Sequence, residues 1–129
     1  MMNQVMLVAL GGAIGSVARF KLSGLVLRYS LDWRFPFPTF TVNVLGCLII
    51  GILAGFALKE GFISADMRVL LFTGLMGGFT TFSAFGLETM ILLREGRIGI
   101  AAAYIVASVV VGLAMMWLGF ALVKAAVQA

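Results

Sequence analysis

Of the 129 residues, 63% are apolar and only 11% charged, a balance that no water-exposed globular surface carries, so a soluble globule is excluded. There is no histidine, one cysteine and no paired carboxylate motif, which removes side-chain metal chemistry, a disulfide scaffold and acid-base catalysis; no enzymatic activity is expected. The net charge of +4 is spread singly along the chain rather than gathered in a patch, so nucleic acid is excluded as a partner.

Mean hydropathy is +1.17, and a helical span needs about 20 apolar residues. Four spans with short loops fill the chain, giving one four-span unit over residues 1–129. The first span covers residues 3–27. It carries Arg19, Lys21 and Arg28 toward its end, whose long stems can snorkel to the headgroups. No basic residue precedes it and no small-residue cleavage site follows, so it reads as a retained span rather than a secretory signal. Gly11, Gly12 and Gly15 follow no strand and miss the dinucleotide spacing, and are assigned to helix packing.

A polar break over residues 29–38 combines Asp32, Trp33 and Arg34 with Pro36 and Pro38, residues that stop helices and place aromatic rings at an interface. The second span covers residues 39–58, with Gly46, Gly51 and Gly55 permitting close helix contact. Cys47 lies deep in it without a partner and reads as apolar filler. Asn43 has two readings. Its carboxamide must find partners in hydrocarbon: either it bonds a neighbouring helix, or its NH2 lines a pore and donates to a passing anion.

The third span, residues 68–93, contains Gly74, then Gly77-Gly78-Phe79-Thr80-Thr81-Phe82-Ser83-Ala84-Phe85-Gly86. Each interior glycine costs a helix about 1 kcal/mol relative to alanine, so the sequence predicts local unwinding over residues 77–81 near the membrane midplane. Carbonyl oxygens freed there need water, a neighbouring helix or an oxygen-preferring cation. Phe79, Phe82 and Phe85 recur every three residues, so helical winding would put them on one face. Such a stripe either packs or turns positive ring edges to an anion. Ser83 and, in the fourth span, Ser108 are hydroxyl donors. Glu88 is the acidic residue well inside a span, either functional or paired with Arg19 or another basic end. The fourth span, residues 98–123, also carries Tyr104.

Across four spans, Lys59, Arg68 and Lys124 fall on one side, against Lys21, Arg28, Arg34, Arg94 and Arg97 on the other, with Arg19 as a sixth. The excess of basic residues formally places the amino terminus outside. It is modest enough to leave room for insertion in both orientations.

The run Gly77-Gly78-Phe79-Thr80-Thr81-Phe82-Ser83-Ala84-Phe85 followed by Glu88 resembles the Fluc family of fluoride channels, the CrcB-like proteins. Gly15-Ser16-Val17-Ala18-Arg19 and Thr39-Phe40-Thr41-Val42-Asn43 before Gly46 support the match, which covers essentially the whole chain. The resemblance implies an all-α integral membrane protein with four transmembrane helices, the third broken near the midplane, in an antiparallel dual-topology homodimer with two pores. It implies passive, fluoride-selective export across a bacterial inner membrane that limits cytoplasmic fluoride. By the same resemblance Phe82 and Phe85 are the pore phenylalanines and Asn43 the pore asparagine, while Ser83, Tyr104 and Ser108 form a polar track. A structural sodium ion at the dimer centre would be held by the Gly77 and Thr80 carbonyls, and Arg19, Glu88 and Thr39 would be structural or pore-associated. One departure is Gly112, where the track sometimes carries a further hydroxyl. The alternative class, a small proton-coupled multidrug exporter, relies on a carboxylate in the first span, and this first span has none. A non-transporting assembly subunit would leave the third span unexplained.

Overall fold

The computed structural model describes residues 3–128, and all regular structure among them is helical. In chain order the elements are α1 (Gln4–Tyr29), α2 (Phe37–Ala57), α3 (residues 65–79), α4 (Phe82–Arg94) and α5 (Ile98–Gln128). The stretches Gln4–Tyr29, Phe37–Ala57, Ala65–Arg94 and Ile98–Gln128 are each long and apolar enough to cross a bilayer, which makes the chain a multi-pass membrane protein. Large apolar side chains such as Val5, Phe20, Leu113 and Trp117 face outward, as expected where the solvent is lipid.

Local chemistry sets the helix ends. Asn3 caps α1, its Oδ1 accepting the Val5 N–H at 3.1 Å, and Ser64 caps α3 by accepting the Met67 N–H at 3.2 Å. The second span begins two residues earlier than the sequence suggests, at Phe37, with Pro38 inside the first turn. Proline is tolerated there because a first-turn N–H has no intrahelical acceptor to lose. Between α4 and α5 the chain turns on Gly96, at φ +75°. The Gly96 N–H donates to the Leu93 carbonyl and the Arg97 N–H to the Leu92 carbonyl, the paired bonds of a glycine-terminated helix that doubles back. At the other end of the bundle an Arg68 guanidinium N–H donates to the Ala57 carbonyl at the end of α2, where the helix dipole is negative.

Two helix pairs are drawn together by glycine. Between α1 and α3, a Cβ on Gly11 would lie 2.5 Å from the Leu70 carbonyl oxygen, and one on Gly78 equally close to that of Gly12. Between α2 and α5, a Cβ on Gly119 would approach the Leu48 carbonyl oxygen to 2.6 Å, and one on Gly51 would collide with that of Met116. In lipid, where burial of apolar surface drives no association, such close backbone approach and its dispersion contacts hold helices together.

The third span is the irregular one. Its α3 opens as the turn Ala65–Arg68, continues as the π-wound stretch Val69–Met76 and closes with Gly77–Phe79; the Gly77 N–H reaches the Phe72 carbonyl five residues back. Thr80 (φ −86°, ψ 156°) and Thr81 (φ −148°, ψ 115°) are extended, and α4 starts at Phe82. Gly77 and Gly78 are therefore helical, and Gly78 admits the backbone of α1 at Gly12 rather than unwinding the chain. One core cluster forms around Val42, Met76 and Phe79, a second around Leu92, Ala101 and Tyr104.

Candidate functional site

An open groove of about 280 Å³ runs along one side of the bundle, lined by Asn43 and Cys47 of α2, Thr80 and Thr81, Phe82 and Phe85 of α4, and Ser108 of α5, among others. No charged side chain lines it. What it offers is neutral: an amide, hydroxyls, aromatic rings and the amino-terminal end of α4. That end is where a 13-residue helix presents backbone N–H groups and partial positive charge.

Asn43 and Thr81 meet through two hydrogen bonds. The Thr81 N–H donates to Asn43 Oδ1 at 2.8 Å, and Asn43 Nδ2 donates to the Thr81 carbonyl at 2.8 Å. The first reading of Asn43 is seen: its oxygen and one N–H hold the neighbouring span, and the residue also lines the groove. Thr81 itself caps α4, its Oγ1 accepting the Ala84 N–H at 3.2 Å. Thr80 turns its hydroxyl to the Met76 carbonyl at 2.8 Å and its methyl toward Gly46, where a Cβ would collide with it.

These bonds redirect two amides. In a continuous helix the Thr81 N–H would serve the Gly77 carbonyl and the Ala84 N–H the Thr80 carbonyl; here Asn43 and the Thr81 hydroxyl take them. The Gly77 and Thr80 carbonyls, which the family resemblance marks for a cation, thus lose their ordinary donors, as do those of Gly78 and Phe79 at the end of α3, and oxygens of this hard kind suit a sodium ion.

The phenylalanines do not share a face. Phe79 is 7% exposed and belongs to the core with Val42 and Met76, whereas Phe82 is 82% exposed. The extended pair Thr80–Thr81 changes the rotational phase between α3 and α4, so the three-residue spacing no longer places the rings together. Phe82 and Phe85 remain neighbours at 5.6 Å between ring centroids, and Phe85 meets Tyr104 edge-on at 5.0 Å.

Behind Phe85, Glu88 joins three spans. Its Oε1 accepts the Thr39 hydroxyl of α2 and its Oε2 the Tyr104 hydroxyl of α5, both at 2.6 Å. Hydroxyl-to-carboxyl bonds of this length are at the short end of the ordinary O–H···O range. The alternative pairing with Arg19 or another basic end is corrected: among the described residues the ion pair is Arg97–Glu95 at 2.9 Å, and the Glu88 carboxyl oxygens are engaged by hydroxyls. Arg19 is half-buried on α1.

Tyr104 is fully buried, wedged between Phe35 and Phe85, with its hydroxyl committed to Glu88. Ser108 lines the groove. Ser83 is exposed, its Oγ 3.3 Å from that of Thr81. Gly112 is buried, and a Cβ on it would come within 3.4 Å of Cys47 Sγ, so the small residue seats α5 against α2. Three participants escaped the sequence reading. Thr81 was legible as a helix-capping type ahead of an apolar run; Cys47 as a groove residue and Phe35 as the ring that anchors the first loop to Tyr104 had no local signature.

The sequence model of a family described as CrcB-like protein, Camphor Resistance (CrcB), matches residues 6–120. The chain is 81% identical over 128 residues to a protein of Methylobacillus flagellatus called Fluoride-specific ion channel FluC, covering 99% of this chain and 100% of that one. Proteins of the same name from Rhizobium meliloti (45% identical, covering 98% of this chain and 100% of the relative) and Azobacteroides pseudotrichonymphae (40%, covering 96% and 98%) are more distant relatives.

Proposed function

The chain belongs to the CrcB-like family, and from that premise we propose that it is a fluoride-selective channel that lets the anion leave the cell passively. One observation of its own supports the assignment: the groove brings Asn43, Ser108 and the Phe82 and Phe85 rings together at the amino-terminal end of α4 with no cationic side chain among its lining. Fluoride is small and firmly hydrated. A path for it must replace water by several donors in succession, each too weak to trap it. An amide N–H, hydroxyls, ring edges and a helix end meet that need, whereas a lysine or arginine would hold the ion.

The groove is open along its length, and Phe82 projects from it almost fully exposed. A lone copy in a membrane would lay this polar strip against acyl chains, which favours closure by a second copy. We assign that role to an antiparallel homodimer of dual topology, in the bacterial inner membrane, with the third span broken near the midplane at Thr80 and Thr81. Asn43, Phe82, Phe85, Ser83 and Ser108 are assigned to the anion path; Tyr104 and Thr39 support it through Glu88, and Arg19 is assigned a structural or pore-associated place on α1. Where two copies meet, the carbonyls of Gly77 and Thr80 would hold a structural sodium ion, which supplies positive charge and ties the interface.

Hydrogen fluoride enters cells as a neutral acid and ionises in the more alkaline cytoplasm, so a passive anion path suffices for export when the membrane is negative inside. The exporter alternative finds no support, since α1 contains no carboxylate and the named relatives are channels. The test is efflux from liposomes containing the purified protein: fluoride leaves down its gradient with no proton gradient present, and chloride does not. Equal chloride flux would remove the selectivity claim.

A further inference from the structure

Thr81 offers both its backbone groups to one side chain, and only one backbone conformation allows that. In an extended residue the N–H and C=O point to the same side, as in a hydrogen-bonded pair of antiparallel strands; in a helix they point in opposite directions along the axis. Asn43 donates to the Thr81 carbonyl and accepts from its N–H, both at 2.8 Å, with Thr81 at φ −148°, ψ 115°. The carboxamide is therefore complementary to the extended form of Thr81 and to no helical form.

We infer, building on the channel reading above, that Asn43 is a positioning residue: its carboxamide clamps Thr81 in the extended conformation and so keeps α3 and α4 from fusing into one helix. The competitor is local. The carbonyl of Gly77 stands four residues before Thr81, and without Asn43 it would recover the Thr81 N–H. The clamp decides what the groove contains. With Thr80 and Thr81 extended, Phe79 is buried and Phe82 is exposed in the groove; in a fused helix, residues three apart would share a face and Phe82 would swing toward the core side occupied by Phe79. The same event would re-cover the Gly77 carbonyl. One side chain thus sets the orientation of the rings, the freedom of a backbone oxygen and the donor it lends to the groove.

The test reads the backbone directly. Thr80–Thr81 is the one Thr-Thr pair in the chain, so threonine labelled with 13C and 15N gives a single sequential carbonyl-to-nitrogen correlation in solid-state NMR of the full-length protein in liposomes, and through it the Thr81 Cα shift. In the unsubstituted protein that shift is expected in the extended range. In Asn43→Leu it is expected to move to the helical range, with loss of fluoride efflux. Ser108→Ala, which alters the groove without touching the clamp, is expected to leave the Thr81 shift in place whatever it does to flux. Should the leucine variant fail to accumulate, Asn43→Ser is read the same way, because one hydroxyl lacks the reach and the paired geometry to bridge both groups. An extended Thr81 in the folded Asn43 variant overturns the inference even if efflux is lost. Absence of fluoride efflux from the unsubstituted protein would overturn the channel reading and leave the clamp standing, since the shift is measured independently of transport.

Discussion

Phe79 and Phe82 are separated by two extended threonines, and the first ring is sealed in the core while the second projects from the bundle. Phe82 is the most exposed aromatic residue of the groove lining, although a ring of that size gains nothing from a polar track. Its position makes sense if its edge faces an anion. Phe82→Ile keeps comparable bulk and removes the edge. Fluoride efflux is expected to fall about tenfold, equivalent to ~1.4 kcal/mol on the barrier, with the elution position of the purified protein unchanged. Full flux in the variant would return the ring to a packing role.

The two carbonyls whose amides are diverted, those of Gly77 and Thr80, supply a second prediction. If they hold sodium, preparing the protein throughout in a bulky organic cation in place of sodium should reduce efflux and lower its melting temperature. Readdition of sodium should restore both, and indifference to the exchange would mean that water or neighbouring helices satisfy these oxygens.

The Glu88 joint is open to a double-mutant cycle. Thr39→Val and Tyr104→Phe each preserve shape and strip one hydroxyl from the carboxyl group, at an expected cost of about 1–2 kcal/mol each in chemical unfolding. Because both hydroxyls bond one group, the double variant should depart from additivity by roughly 0.5 kcal/mol or more. Strict additivity would indicate two independent contacts.

Glycine contacts on α1 separate into those that matter and those that do not. Gly11→Val drives a branched side chain into the Leu70 carbonyl and should destabilise by about 1–3 kcal/mol. Gly24 has no atom within 4 Å of an added Cβ, and Gly24→Ala should leave stability unchanged or raise it by up to ~1 kcal/mol. Melting curves of the two variants in one detergent decide this.

The four spans were legible because a run of apolar residues of bilayer length leaves few alternatives; that Gly96 turns the chain between α4 and α5 at positive φ was not read. The ends of α2 were less legible: Pro38 reads as a stop in isolation but sits harmlessly in a first turn. The irregularity of the third span was expected over residues 77–81, from glycines that weaken helices, and only its last two residues leave the helix. That it is confined to Thr80 and Thr81 was not legible, because the deciding partner, Asn43, lies 38 residues away, beyond the reach of any local propensity. The same distance problem hid the acceptor role of Glu88, whose hydroxyl donors come from two other spans. Asn43, Phe82, Phe85 and Ser108 were singled out from residue type and family pattern and line one groove, whereas Ser83 and Tyr104, named with them, are not among its lining.

The bond from Tyr104 to Glu88 also has a temporal side. Thr39 precedes the carboxyl group and Tyr104 follows it by sixteen residues, so a ribosome delivering the chain in order supplies the first hydroxyl before Glu88 emerges and the second only with the closing helix. Until then one oxygen must keep a water molecule, and the third span cannot settle fully into oil. The fourth span therefore completes the joint, and a chain truncated ahead of it would keep three spans with one Glu88 oxygen lacking its protein donor.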